Sequence, residues 1–176
     1  MLKSSNDSLS TWFADFSKCQ SMNDFAVQNN LAHRGHTLVW PSPDKYPSWL
    51  QQSNPDIATL ETFMVNYITQ VMHEVGEVYA WDVVNEAVSN SAKAGSSMDE
   101  YLKDTIWHEI PDFVCTAFKT AKTVVQMNGW NTLLFYNDYN FEAGQEGSAF
   151  FDKSENVFDL VKYLVDNECG IDGVGF

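Results

Sequence analysis

Trp81-Asp82-Val83-Val84-Asn85-Glu86 reads as a buried strand that ends in an amide followed by a carboxylate. An apolar strand does not usually finish this way unless something at its tip uses a carboxyl group. A carboxyl group held against a reacting atom can give and take a proton. On its own it is half of a two-carboxylate mechanism, so its partner has to be found elsewhere. Three further segments set reactive or hydrogen-bonding side chains along predicted strands. They are His33-Arg34-Gly35-His36-Thr37-Leu38-Val39-Trp40, Tyr136-Asn137-Asp138-Tyr139-Asn140 and Ile171-Asp172-Gly173-Val174-Gly175. His36 and Trp40 are four apart and share one strand face. Asn85 and Glu86 are adjacent, and a flat strand would aim them to opposite sides. Both serve one site only if the strand twists or bulges there.

Those strands are held apart by helices. Leu60, Phe63, Met64, Tyr67, Ile68, Val71, Met72 and Val75 recur at helical spacing, predicting a helix over Asp56 to Val75 with Gly76 as its cap. Phe113, Ala117, Phe118, Ala121, Val124 and Val125 mark a second helix, opened by Pro111 at its first position and closed by Gly129. Val157, Leu160, Val161 and Leu164 mark a third, over Asn156 to Asn167. The intervening strands are Ala32 to Trp40, Val78 to Val84, Leu133 to Asn137 and Ile171 to Phe176. Strands alternating with helices give crossover units and a parallel α/β sheet. The long polar stretches, Ala87 to about Trp107 and Asp138 to Ser148, each follow a strand, as the active-site loops of a barrel do. A doubly wound open sheet is the alternative, but no glycine-rich phosphate loop favours it.

Composition narrows the partners. The chain has 176 residues, enough for one domain with a substantial core, and a net charge of -14. No basic face is left to neutralise phosphates, so nucleic acid and anionic membranes are poor partners. Aromatic residues reach 14%, high enough to supply a sugar-stacking surface as well as a core. Cys19, Cys115 and Cys169 are odd in number, far apart and free of Cys-x-x-Cys spacing, so they read as buried free thiols. His33 and His36 point to opposite faces of their predicted strand, so no metal site is expected. Met1 to Phe13 has no apolar signal-peptide core, and no run reaches transmembrane length. Asn6-Asp7-Ser8 is a weak glycosylation signal.

The four strand-end segments, in this order and spacing and with Pro47-Ser48-Trp49-Leu50 between the first two, resemble glycoside hydrolase family 10, the retaining endo-1,4-β-xylanases. The resemblance runs from about Phe13 to Phe176. It implies a (β/α)8 TIM barrel, incomplete in this chain, of which these segments are strands three to six. The whole of 1–176 is then one partial catalytic domain. It implies xylan or xylo-oligosaccharide as substrate, no cofactor and a secreted protein. Glu86 would be the general acid/base and Asn85 the residue that binds the sugar 2-hydroxyl. His36, Trp40, Tyr139 and Asn140 would line the substrate cleft, with Asp138 supporting the hydrogen-bond network. Lys3 would match a lysine that contacts the same sugar.

Two departures from the family pattern stand out. Pro41-Ser42-Pro43 occupies the place of the usual His-Ser-Gln after the strand-three tryptophan. The nucleophilic glutamate belongs to strand seven and is expected downstream of Phe176. Glu142, Glu146 and Asp138 are carboxylates of a neighbouring loop but do not sit in a matching context. An isolated chain is therefore expected to have little activity. A barrel remnant that only binds carbohydrate is the alternative, and another glycosidase with Asn-Glu on strand four is a third reading.

Overall fold

The computed structural model describes residues 2–4, 12–142 and 144–176, with residues 2–4 and 12–14 given by their backbone alone. Its centre is a parallel sheet of β3 (Arg34–Val39), β4 (Ala80–Asn85), β5 (Leu133–Asn137) and β6 (Gly173–Gly175), in that spatial order. A doubly wound sheet reverses its strand order partway, whereas this one runs monotonically, as successive strands of a barrel do. The fold is thus a partial (β/α) barrel. A separate antiparallel pair, β1 (Leu2–Ser4) and β2 (Trp12–Ala14), precedes it.

The longest helix, α3 (Ile57–Val75), forms where its apolar stripe required it. Asp56 caps it by accepting the Thr59 N–H at 2.8 Å, and Gly76 ends it at φ 82°. Left-handed φ is open to glycine at little cost, which suits the position. The second major helix, α5 (Phe113–Asn128), ends likewise at Gly129 with φ 66°. All six residues assigned to its inner face are buried. It begins two residues later than Pro111 suggested, because Asp112 takes a left-handed φ of 55° and holds Pro111 outside the helix.

Other boundaries moved for physical reasons. The last helix, α6 (Phe151–Asp166), starts five residues before the expected Asn156, because polar Lys153 is itself buried and extends the inward face. β3, β4 and β6 each start two residues later than expected, so His33 precedes β3 instead of lying on it. A helix not foreseen, α1 (Ser17–Gln28), carries exposed Met22, Phe25 and Val27, so its sequence lacks a clean buried stripe. A short α2 (Ser48–Gln52) follows β3. The stretch from Ala87 to Trp107 is not all open loop either. It contains α4 (Met98–Tyr101) and a 3-10 turn (Ile106–Glu109), and Tyr101, Leu102 and Trp107 are buried.

One glycine makes the sheet fit. A Cβ on Gly35 would lie 2.2 Å from the Trp81 ring, so this close approach of β3 to its neighbour excludes any side chain.

The cysteine expectation is overturned. Cys115 and Cys169 form a disulfide across a separation of 54 residues, and Cys19 is exposed rather than buried. Cys115 lies in α5, and Cys169 follows the end of α6. The fold brings these segments side by side, a proximity that linear spacing does not reveal.

Candidate functional site

β4 carries the first chemistry. It is buried along its whole length, and its pairing with β5 shifts register between Asp82 and Val84. One extra residue on β4 there is a β-bulge, which bends a strand and re-aims the residues beyond it. Glu86, just past the strand, adopts φ 56°, a conformation uncommon outside glycine. Together these meet the condition set by adjacent Asn85 and Glu86. Asn85 is 1% exposed, and its Oδ1 accepts from Asn137 Nδ2 at 2.8 Å. Its Nδ2 finds no acceptor among the described residues. Glu86 Oε2 accepts from Trp40 Nε1 at 3.3 Å and lies 3.7 Å from Lys103 Nζ. Both partners fall on the same carboxylate oxygen.

β3 supplies the opposite wall. His36 and Trp40 pack edge-on, with ring centroids 5.6 Å apart, across a register shift in β3 and just past its end. Beneath them Asp82 is fully buried and bonded twice. Arg34 Nη2 donates to its Oδ1 at 2.5 Å, and His36 Nδ1 meets its Oδ2 at 2.7 Å. Arg34 also donates to Asn137 Oδ1 at 3.0 Å. A run of contacts therefore passes from Arg34 through Asp82, His36 and Trp40 to Glu86. Sequence alone gives Asp82 a structural place on its strand, and its position is that of a buried anchor for His36.

The segment that departs from the family pattern folds back over this wall. Ser42 N–H donates to the Trp40 carbonyl at 2.8 Å, and Lys45 Nζ stands 5.0 Å above the Trp40 ring. Asp44 pairs with Lys45 at 2.7 Å, and the Lys45 and Ser42 donors hold its carboxyl at about 2. Its charge therefore persists at any working pH.

β5 brings a third group. Asp138 is 1% exposed, and both its oxygens are occupied. Oδ2 accepts the Tyr136 hydroxyl at 2.5 Å, and Oδ1 accepts Tyr139 N–H and Lys153 Nζ, each at 2.8 Å. The Tyr136 oxygen in turn accepts the N–H groups of Ala87 at 3.1 Å and Val88 at 3.2 Å. Burial first, and then Asp138, pushes this hydroxyl well above the ordinary tyrosine range, so it remains a donor throughout. Tyr136 thus pins the two residues that follow Glu86. Replacing it with Phe leaves two buried N–H groups and one carboxylate oxygen short of a partner. The expected cost is about 2–3 kcal/mol in urea denaturation, with faster amide exchange at Ala87 and Val88. Unchanged exchange at both amides would contradict the pinning.

Tyr139 is 38% exposed, and its hydroxyl accepts from Asn90 Nδ2 at 2.7 Å. Asn140 is half-buried in the turn after β5, at φ 60°. Glu142 and Glu146 are exposed in the following loop. The side chain of Lys3 and the tripeptide Asn6-Asp7-Ser8 lie outside the described residues. Lys103, Lys153, Arg34 and the Tyr136 hydroxyl were not singled out from sequence. Their roles come mostly from partners on other elements of the fold, and no local signal marks them. Among the described residues no cluster of His, Cys, Asp and Glu has the makings of a metal site, and no helix is long and apolar enough to cross a membrane.

A parallel barrel segment with a glutamate, an amide and aromatic rings gathered at the carboxyl ends of its strands has its polar groups where barrel enzymes build their active sites. The chain belongs to glycosyl hydrolase family 10, whose sequence profile matches residues 3–176. It is 37% identical over 163 residues to endo-1,4-beta-xylanase B of Neocallimastix patriciarum, covering 92% of this chain and 17% of that protein. It is 36% identical over 166 residues to a beta-1,4-xylanase of Dictyoglomus thermophilum, covering 92% of this chain and 41% of the relative. Among solved structures it is similar to a family 10 xylanase from Bispora sp. MEY-1 with xylobiose, at TM-score 0.77 and 30% identity. That match covers 92% of this chain and 46% of the other. The chain therefore spans less than half the length of these relatives.

Proposed function

We propose that this chain is the acid/base portion of a retaining endo-1,4-β-xylanase that cleaves internal bonds of xylan. The observation that carries this reading is Glu86. It stands at the carboxyl end of β4 with its carboxylate held by Trp40 from the neighbouring strand. Because Trp40 and Lys103 both meet Oε2, Oε1 is left to deliver the proton to the glycosidic oxygen and later to take one from water. The unpartnered Asn85 amide offers a donor to the sugar 2-hydroxyl beside it. His36, Trp40, Tyr139 and Asn140 line the cleft.

A retaining mechanism needs a second carboxylate about 5–5.5 Å away. Asp138 does not suit that part, because an attacking oxygen must be free and both of its oxygens are committed to fixed donors. We assign the nucleophile to a strand-seven glutamate outside these 176 residues. Secretion is part of the same reading, and the Cys115–Cys169 disulfide supports it, since such bonds persist in oxidising surroundings.

The test compares xylan hydrolysis by this chain alone and by the chain joined to the remaining barrel strands of a family relative. The joined protein should exceed the chain alone by at least about a thousandfold, the scale of losing an essential nucleophile. Equal turnover by both would place the nucleophile inside the chain. A joined, folded protein without activity would remove the xylanase reading.

A further inference from the structure

We propose that Lys153 is a positioning residue for sugar binding: it fixes the Tyr139 ring as a rigid platform and braces the backbone that carries Glu86. This rests on the xylan reading above and names the residue that organises its cleft.

Lys153 belongs to the first turn of α6, yet it is only 2% exposed. A buried ammonium is costly unless all its protons are satisfied. Here it donates to Asn90 Oδ1 at 2.7 Å and to Asp138 Oδ1 at 2.8 Å, and lies 3.7 Å from the centre of the Tyr139 ring. Three donors meet two oxygens and one aromatic face. A side chain kept only to fill space would not need a charge, since apolar groups of similar volume fill buried sites without the desolvation cost.

The three partners come from different parts of the chain. Asn90 follows β4, and Asp138 and Tyr139 follow β5. Asn90 also donates to the Tyr139 hydroxyl at 2.7 Å. The ring is therefore held twice, by a cation against its face and by an amide at its tip, while 38% of the residue stays exposed. A surface tyrosine fixed in this way has already lost the rotamer freedom that a bound sugar would otherwise have to remove. The same ammonium holds Asp138, which holds the Tyr136 hydroxyl, which holds the N–H groups of Ala87 and Val88 beside Glu86. One cation thus ties the aromatic platform to the acid.

The experiment is calorimetric titration of xylopentaose into the wild-type chain and into Lys153→Met, Asn90→Ala, Tyr139→Ala and the double variant Lys153→Met/Tyr139→Ala, with thermal melts alongside. Lys153→Met and Asn90→Ala should each weaken binding by about five- to tenfold, the scale of lost pre-organisation. The double variant should bind no worse than Tyr139→Ala alone, because Lys153 serves binding through that ring, whereas its brace on the Glu86 backbone serves proton transfer. Asn90 is exposed, so its replacement tests the brace even if Lys153→Met does not fold. Wild-type affinity in Asn90→Ala, Lys153→Met or Tyr139→Ala, or losses that add in the double variant, would overturn the proposal and leave the xylan reading standing. A folded wild-type chain that does not bind xylopentaose would overturn the proposal, while the joined protein decides the xylan reading.

Discussion

Glu86→Gln, introduced into the completed barrel, should lower kcat/KM on xylan by about a thousandfold, within the usual range for losing a general acid. Gln keeps the shape of the side chain, and its oxygen still accepts the Trp40 N–H that meets Oε2 at 3.3 Å. The change thus removes the titratable proton and the charge facing Lys103 while keeping the shape. A xyloside whose leaving group is dinitrophenolate departs without protonation, so cleavage of that first bond should be nearly unaffected. The split between the two substrates is the diagnostic quantity. A uniform loss on both would assign Glu86 to binding or folding, and no loss on xylan would remove it from the mechanism.

The largest expected effect on stability belongs to the disulfide. Linking Cys115 and Cys169 restricts an unfolded loop of 54 residues, and the chain-entropy relation puts that at about 4 kcal/mol. The paired replacement Cys115→Ala/Cys169→Ala should lower the melting temperature by about 10 °C for a chain of this size. Thiol titration under denaturing, non-reducing conditions should find one reactive group, Cys19, rising to three after reduction. Three reactive thiols before reduction, in protein prepared under oxidising conditions, would show that the bond does not form.

What could be read in the sequence divides along the range of the interactions involved. The α3 stripe and its Asp56 and Gly76 caps are short-range features, and they appear where expected. β5 falls on its expected residues, Leu133–Asn137. His36 and Trp40 meet as expected, but not through simple strand alternation, since β3 shifts register between His36 and Val39 and ends before Trp40. The need for a twist or bulge near Asn85 could be stated from adjacency alone, but which of the two occurs, and where, depended on pairing with β5. The Cys115–Cys169 bond and the partners of Lys153 and Lys103 depend on how distant segments pack. Helix α1 was missed because its exposed Met22, Phe25 and Val27 break the pattern that burial imposes.

The hydroxyl of Tyr136 has a consequence for how this connection tolerates change. By fastening Ala87 and Val88 to β5, it anchors the root of the stretch between β4 and α5 separately from the partly exposed segment Ala92 to Ser97. Insertions or deletions near Ala92 to Ser97 would alter the reach of the cleft rim while the root keeps Glu86 in register. The acid and the loop above it can therefore diversify on separate schedules, one held constant by its neighbouring strand and the other open to natural variation or engineering.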